Sequence, residues 1–222
     1  MYMSKKCIIS ISIACVFCVI LLGCGGVSLA TAGHNRATII VDAGHGGSDG
    51  GVVGSQGQKE SDINLAIAYI LQNELANCNF DVVMTRVDKN ALGATKKKDM
   101  QARKQKIVET RPNLVISIHA NKFSNKDRRG AQVFYDDSKI GKYFADNMQA
   151  RLNQNVNARF CGRTNLQALG GDFFITKCAP CPSIIVECGF LSNLEDEKLL
   201  MSVEYRQLLA KEICAVAQNA FE

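Results

Sequence analysis

The sequence predicts an α/β fold, with a single twisted, mostly parallel or mixed sheet and helices on both faces. Short apolar runs rich in β-branched residues alternate with amphipathic stretches, an order typical of a sheet buried on both sides. The 222 residues are 47% hydrophobic and 21% charged, the composition of a globular domain rather than of a disordered chain. Because such sheets carry their chemistry beyond the carboxyl ends of the strands, we expect a site at that edge.

The first elements of the folded part are a strand, a loop and a helix. Residues 38–41 form a β-branched run that enters the glycine-rich residues 42–47, which predicts a buried strand followed by a loop. A helix is expected to begin near Glu60. Its apolar residues recur on one helical face: Ile63, Ile67, Ile70, Leu71 and Leu75.

The remaining chain continues the alternation of strands and helices. Further strands are predicted at residues 80–85, 114–119, 131–135 and 183–187. Further helices are predicted at residues 100–110, 142–153 and 197–221, and residues 89–99 are expected to form a polar loop. Three of the strands end in a residue that can bind a metal or move a proton: His45, His119 and Glu187.

The amino-terminal segment is typical of an export signal. Residues 1–32 contain no acidic residue, and Lys5 and Lys6 precede an apolar run that gives way to small residues. We expect a signal peptide or N-terminal membrane anchor at residues 1–32, a linker at 33–37 and the folded domain at 38–222. Lipidation at Cys24 is an alternative, because the residues before it resemble a bacterial lipobox. Each alternative places the domain outside the cytoplasm.

The net charge and the cysteine content say little about binding partners or disulfide bonds. A net charge of +5 is too small to indicate a nucleic-acid partner, and membrane contact is expected only through the N-terminal segment. Cys178 and Cys181 have C-x-x-C spacing without a second such pair, which argues against a four-cysteine zinc site. The disulfide state stays open for the six cysteines of the domain: Cys78, Cys161, Cys178, Cys181, Cys188 and Cys214.

The histidines indicate a metal site. The chain has three, and because His34 lies in the linker, both histidines of the domain follow predicted strands. Two imidazoles and one carboxylate are a usual catalytic zinc set, which leaves a fourth position open for water. Glu60 and Glu187 are the candidate carboxylates, and the spacing alone does not choose between them. Weaker candidates are Asp42, Asp49 and Asp62.

Four segments in this order resemble a known family. They are residues 42–47 (Asp-Ala-Gly-His-Gly-Gly), Glu60, residues 117–121 (Ser-Ile-His-Ala-Asn) and residues 186–193 (Val-Glu-Cys-Gly-Phe-Leu-Ser-Asn). Over about residues 38–222 the chain resembles the zinc-dependent N-acetylmuramoyl-L-alanine amidases with a catalytic domain of the amidase-3 type. The resemblance assigns three Zn²⁺ ligands and one catalytic glutamate: His45, Glu60 and His119, and Glu187. Ala43 departs from the family's usual proline, but it is not a proposed ligand.

The resemblance implies hydrolysis of the amide between the lactyl group of N-acetylmuramic acid and L-alanine of the peptidoglycan stem peptide. Glu187 would take a proton from water and return it to the leaving amine. The layout, a leader before a minimal domain, resembles the CwlD-type sporulation amidases, whose action on the spore cortex leads to muramic lactam. Two alternatives are a zinc peptidase that cleaves other stem-peptide bonds and a non-catalytic wall-binding protein. A separate protein activator is a further hypothesis.

Two other side chains carry weaker expectations. Arg103 on the predicted second helix fits a solvated or salt-bridged surface position as well as a role in the site. Cys188 should point away from Glu187, since neighbours on a strand face opposite sides of the sheet. The glycines around His45 are expected to let the backbone pass close to the metal and the substrate.

Overall fold

The computed structural model describes residues 36–136, 138–178 and 180–221. The predicted leader at residues 1–32 and residues 33–35 of the predicted linker lie outside this part of the chain. Within it, no helix combines the length and the apolar character needed to cross a membrane.

One mixed sheet of six strands organises the domain. In chain order the strands are β1 (Thr38–Ala43), β2 (Asp81–Met84), β3 (Leu114–Asn121), β4 (Gln132–Tyr135), β5 (Leu169–Gly170) and β6 (Ser183–Phe190). Their order across the sheet is β2-β1-β3-β6-β4-β5. The strands β1, β2, β3 and β6 are parallel, whereas β4 is antiparallel to β6 and β5 is parallel to β4. The predicted fold class is confirmed.

Helices cover both faces of this sheet. They are α1 (Glu60–Asn77), α2 (Lys96–Thr110), α3 (Lys139–Leu152), α4 (Ala158–Cys161), α5 (Leu194–Met201) and α6 (Val203–Phe221). A π-helical turn, Asn153–Asn157, joins α3 to α4, and a 3₁₀ turn, Ile175–Lys177, precedes β6. The larger core packs α1, α3 and α6 against one face, and the smaller core packs α2 and the 3₁₀ turn against the other.

The alternation of side chains along the central strands assigns the polar residues to the face of α2. On β3, Ile116 and Ile118 enter the larger core and Val115 the smaller one, so Ser117 and His119 share the face of Val115. On β6 the same alternation sends Cys188 into the larger core, away from Glu187 as predicted. The register pairs His119 with Glu187, which makes these two side chains neighbours on one face.

Several predicted helix boundaries were wrong, and local capping explains two of the differences. The helix α2 begins at Lys96 rather than Met100, and the side chain of Thr95 caps it by accepting a hydrogen bond from the backbone N–H of Lys98. The predicted C-terminal helix is two helices, with the break at Ser202. The backbone of Ser202 is extended, and its hydroxyl accepts a 3.4 Å hydrogen bond from the N–H of Tyr205 in α6.

The side chain of Asn193 is expected to stabilise the start of α5. It accepts hydrogen bonds from the N–H groups of Glu195 and Asp196 and donates one to the carbonyl of Lys126. Asn193→Ala should therefore lower the free energy of unfolding by about 1 kcal/mol or slightly more, measured by urea denaturation. The matched variant Asn219→Ala removes an exposed asparagine from α6 and should cause no loss. Equal stability of the two variants would contradict the capping role.

Candidate metal centre

Three side chains from separate segments converge at the carboxyl end of the parallel strands. His45 lies in the loop after β1, Glu60 is the first residue of α1, and His119 lies near the end of β3. Their ligand atoms all lie within 4.8 Å of one another. Oε1 of Glu60 is 3.2 Å from Nε2 of His45 and 2.9 Å from Nδ1 of His119. Two imidazole nitrogens and one carboxylate oxygen thus form one compact donor set.

Glycine is required where the backbone approaches these donors. A Cβ atom on Gly44 would lie 2.3 Å from the ring of His119, and one on Gly51 would lie 2.5 Å from Oε2 of Glu60. Gly51 also has a positive φ of 67°, which a residue with a side chain rarely adopts. Gly44, one of the glycines around His45, thus lets the backbone pass close to the ring of His119.

The carboxylate of Glu60 is buried but well hydrogen-bonded. The residue is 3% exposed, Oε2 accepts from the N–H of Val52 at 2.9 Å, and Oε1 accepts from the N–H of Ala120 at 3.3 Å. Burial by itself would raise the pKa of Glu60, but the hydrogen bonds and charges of His119 and His45 hold it well below its usual range. Its place at the N-terminus of α1 also favours the ionised form. Glu60 is therefore a charged ligand candidate.

A further carboxylate orients His45. Oδ2 of Asp49 is 3.0 Å from Nδ1 of His45, which directs Nε2 of the same ring toward Glu60. Burial opposes the protonated imidazole, yet the contacts with Glu60 and then Asp49 raise the pKa of His45 above its ordinary value. A hydrogen bond to the nitrogen that does not face the site is the usual way in which a ligand histidine is oriented. Asp49 therefore orients His45 rather than joining the donor set.

Glu187 lies beside the cluster and has one unpartnered oxygen. It lies opposite His119 in the sheet, and within the described residues its buried Oε2 has no hydrogen-bond partner. Burial raises the pKa of Glu187 to about 7; the charge of His119 works against this rise and that of Glu60 adds to it. Such a group exchanges a proton near neutral pH, as a general acid or base must. The two candidate carboxylates thus differ: Glu60 contacts both imidazoles, and Glu187 stands beside them.

Arg103 lies beneath the cluster rather than on the surface. It is 1% exposed, and it donates to Oδ1 of Asp42 at 2.6 Å, to the carbonyl of His45 at 2.6 Å and to Oδ2 of Asp99 at 2.8 Å. The alternative of a surface position for Arg103 was wrong, because this residue lies on the face of α2 that packs against the sheet. Asp42 therefore acts as the counter-ion of Arg103, not as a metal ligand. Burial by itself would raise the pKa of Asp42, but the Arg103 charge holds it low.

Sequence reasoning missed a second buried arginine. Arg86 follows β2 and is 2% exposed; it donates to the carbonyls of Ala43, Gly44 and Ser61 at 2.8–2.9 Å. These bonds tie the loop that carries His45 to the helix that begins with Glu60. An arginine just after a strand is too common for its sequence position to have revealed this role.

A cavity of about 220 Å³ opens over the cluster. Its floor includes His45, His119 and Glu187, and its walls include Met100, Phe173 and Phe174. Phe174 is 48% exposed, so an aromatic face is available at the rim. Sequence analysis did not single out this aromatic pair, although two adjacent phenylalanines in a polar stretch are a recognisable signal.

Comparison with known proteins gives a consistent result. The family model described as N-acetylmuramoyl-L-alanine amidase matches residues 39–219. A germination-specific N-acetylmuramoyl-L-alanine amidase of Bacillus subtilis is 29% identical over 188 residues, which cover 79% of this chain and 76% of the relative.

Solved structures agree with this match. The CwlD amidase from Clostridioides difficile, solved in complex with the GerS lipoprotein, superposes with a TM-score of 0.77 at 32% identity. The match covers 84% of this chain and 98% of that one. The N-acetylmuramoyl-L-alanine amidase AmiC2 of Nostoc punctiforme superposes with a TM-score of 0.73 at 27% identity, over 83% of this chain and 97% of that one.

Removing the Arg103 charge should destabilise the protein. Arg103→Met leaves the carboxylate of Asp42 buried without its cation, and the expected loss in free energy of unfolding is about 3 to 5 kcal/mol. Adding Asp42→Asn should recover part of that loss, because the uncompensated charge is then removed. Urea unfolding of the single and double variants measures both effects. A double variant less stable than Arg103→Met would contradict this explanation.

The raised pKa of Glu187 predicts a pH-dependent cost to stability in the metal-free protein. The pKa of Glu187 is near 4.5 in the unfolded chain and about 7 in the folded protein. The free energy of unfolding therefore falls as the pH rises between these two values. Glu187→Gln lacks this loss and should be more stable than the wild type above about pH 7, by on the order of 1–3 kcal/mol. Urea unfolding with a chelator at about pH 5 and about pH 8 tests this. A stability difference that does not change with pH would contradict the raised pKa.

Proposed function

The chain belongs to the amidase-3 family and is an N-acetylmuramoyl-L-alanine amidase, and we propose that it acts with a zinc ion held by His45, Glu60 and His119. The bond cleaved joins the lactyl group of N-acetylmuramic acid to L-alanine of the stem peptide in peptidoglycan. The observation that carries this proposal is the donor set within 4.8 Å, with Glu187 beside it.

The donor chemistry fits zinc. Two imidazole nitrogens with one carboxylate oxygen match the three protein ligands of catalytic zinc sites, whereas calcium and magnesium prefer oxygen ligands alone. The low pKa of Glu60 keeps its carboxylate ionised for a cation, and Asp49 orients the ring of His45. When bound, zinc supplies positive charge that polarises the scissile carbonyl and makes water a better nucleophile.

Glu187 is proposed as the proton carrier of the reaction. Its unpartnered Oε2 accepts the proton of the attacking water and later donates it to the amine nitrogen of the departing L-alanine. A nearby cation lowers the pKa of Glu187 below the metal-free value of about 7, which favours the ionised form that the first transfer needs. The products are a glycan strand with a free lactyl carboxylate and a peptide with a free L-alanine amine.

The walls of the cavity are proposed to position the substrate. The rings of Phe173 and Phe174 offer apolar faces on which a sugar can pack. Arg103 holds the backbone of His45 from below, so it acts as a positioning residue for the metal ligand.

The cellular role is proposed from the relatives. One relative bears a germination-specific name, and another was solved with a lipoprotein partner. We propose that this chain acts outside the cytoplasm, in the cell wall or at the outer face of the membrane, on spore cortex peptidoglycan. Residues 1–32 would be its signal or anchor and its membrane contact, and residues 38–222 its catalytic domain. A separate protein activator remains part of this proposal.

Digestion of purified peptidoglycan in the presence of zinc tests the proposal. Wild-type protein should release stem peptides whose new amino terminus is L-alanine, identified by mass spectrometry. Glu187→Gln should lower kcat/KM by about 10²- to 10⁴-fold and still bind one equivalent of zinc, since Glu187 is not a proposed ligand. Glu109→Gln, an exposed carboxylate on α2, is the matched control and should keep wild-type activity.

Other results of the same digestion would favour one of the alternative functions. Peptides cut at another bond would favour the zinc peptidase. Zinc binding without cleavage would favour an activator if an added partner protein restores activity, and the wall-binding protein if it does not. His119→Ala should abolish zinc binding measured by calorimetry, and retention of zinc by that variant would overturn the ligand set.

A further inference from the structure

A second cavity, of about 270 Å³, adjoins β4, because its lining residue Arg128 contacts Gln132 of that strand. It is bounded by the loop of residues 122–130 and by residues 163–166. Three guanidinium groups line it, from Arg128, Arg129 and Arg163, against one carboxylate, from Asp127. The other lining residues are Phe123, Asn125 and Leu166. We call this feature the arginine cavity.

Two of the three charges in the arginine cavity are available to a ligand. Arg129 pairs with the buried carboxylate of Asp196 at 3.2 Å. Arg128 donates to Oε1 of Gln132 at 2.9 Å, and Arg163 to the carbonyl of Asp127 at 3.1 Å. Within the part of the chain that the structure describes, neither Arg128 nor Arg163 has a carboxylate oxygen within 4 Å. A guanidinium carries five donor hydrogens, so both can still bind an anion.

The guanidinium of Arg128 is held in place before any ligand binds. It lies 5.0 Å from the centroid of the Phe123 ring and 5.8 Å from that of Phe190. The loop that carries it is anchored to the residues after β6, through bonds from the N–H of Phe123 to Ser192 and from Asn193 to the carbonyl of Lys126. A positioned cation loses less entropy on binding than a mobile one.

The register of the sheet places Arg128 close to the reacting centre. Glu187 pairs with His119 on one side and with Gln132 on the other, so the three side chains share one face. Gln132 in turn contacts Arg128. Gln132 lies on the strand next to Glu187, about 4.8 Å away across the sheet, and the guanidinium of Arg128 contacts the far end of the Gln132 side chain. An extended peptide covers about 3.3–3.6 Å per residue, so the first two residues after the scissile amide can reach it.

We propose that the arginine cavity binds a carboxylate of the stem peptide within two residues of the scissile amide, with Arg128 as the principal contact. The sugar side of the substrate is uncharged, so the cationic cavity suits the peptide side and the phenylalanine pair suits the sugar. The cavity makes the enzyme prefer acidic stem peptides to amidated ones. This inference rests on the proposed function.

The test compares two substrates on the purified full-length protein. Both are glycan chains without cross-links, and the second stem residue carries either a free carboxyl group or its amide. The kcat/KM of the wild type should be at least about tenfold higher on the free carboxyl form than on the amide. This is the fold-change that corresponds to the usual free energy of a charge-assisted hydrogen bond. Arg128→Gln should bring this ratio close to one, and Arg163→Gln should lower it less. Lys126→Gln removes an exposed charge from the same loop and should keep the wild-type ratio.

A second measurement separates this inference from the proposed function. The acidic dipeptide L-alanyl-D-glutamate should bind the metal-free wild type in calorimetry. Arg128→Gln should raise the Kd for this dipeptide by about tenfold or more. If the wild type cleaves neither substrate even with an added partner protein, the proposed function fails and dipeptide binding alone decides the inference. Equal rates on both substrates, or an Arg128→Gln variant that slows both equally, would overturn it, because a purely structural role leaves the ratio unchanged.

Discussion

The carboxylate of Glu60 lies between two imidazole rings, and the geometry of the whole cluster depends on keeping it ionised and buried. A buried carboxylate is costly unless it is fully hydrogen-bonded. Here the N-terminus of α1, the N–H groups of Val52 and Ala120 and the two histidines all compensate its charge. Glycine at positions 44 and 51 follows from the same requirement, because a side chain there would occupy the space of His119 or Glu60.

A second buried charge pair supports this arrangement from below. Asp42 accepts hydrogen bonds from Arg103, Thr85 and Ser117, and so joins α2, β3 and the end of β2 to β1. The same guanidinium reaches the carbonyl of His45. Buried ion pairs contribute little net stability compared with apolar packing, but breaking one is expensive. Its value here is positional, since one network determines where the backbone of His45 lies.

The cluster contains two carboxylates whose pKa values are shifted in opposite directions. Glu60 contacts both imidazoles and is held ionised, whereas Glu187 is half-buried, has a buried unpartnered oxygen, and has a pKa raised to about 7. Environments that separate two carboxyl groups in this way assign them different chemical tasks. One suits a ligand and the other a proton carrier. The unpartnered oxygen costs stability in the metal-free protein, a usual feature of a site built for function.

The sequence alone was enough to predict the fold class, the residues that meet at the site and the family. Hydrophobic periodicity is local, and it reports which residues of a strand or helix face a core. Spacing could not choose between Glu60 and Glu187, place Arg103 and Arg86 under the cluster, or separate α5 from α6 at Ser202. The tertiary structure shows which carboxylate contacts both imidazoles, where the two arginines lie and where the C-terminal helix breaks. Strand register and helix packing depend on hydrogen bonds and contacts between residues far apart in the chain, and no local pattern encodes them.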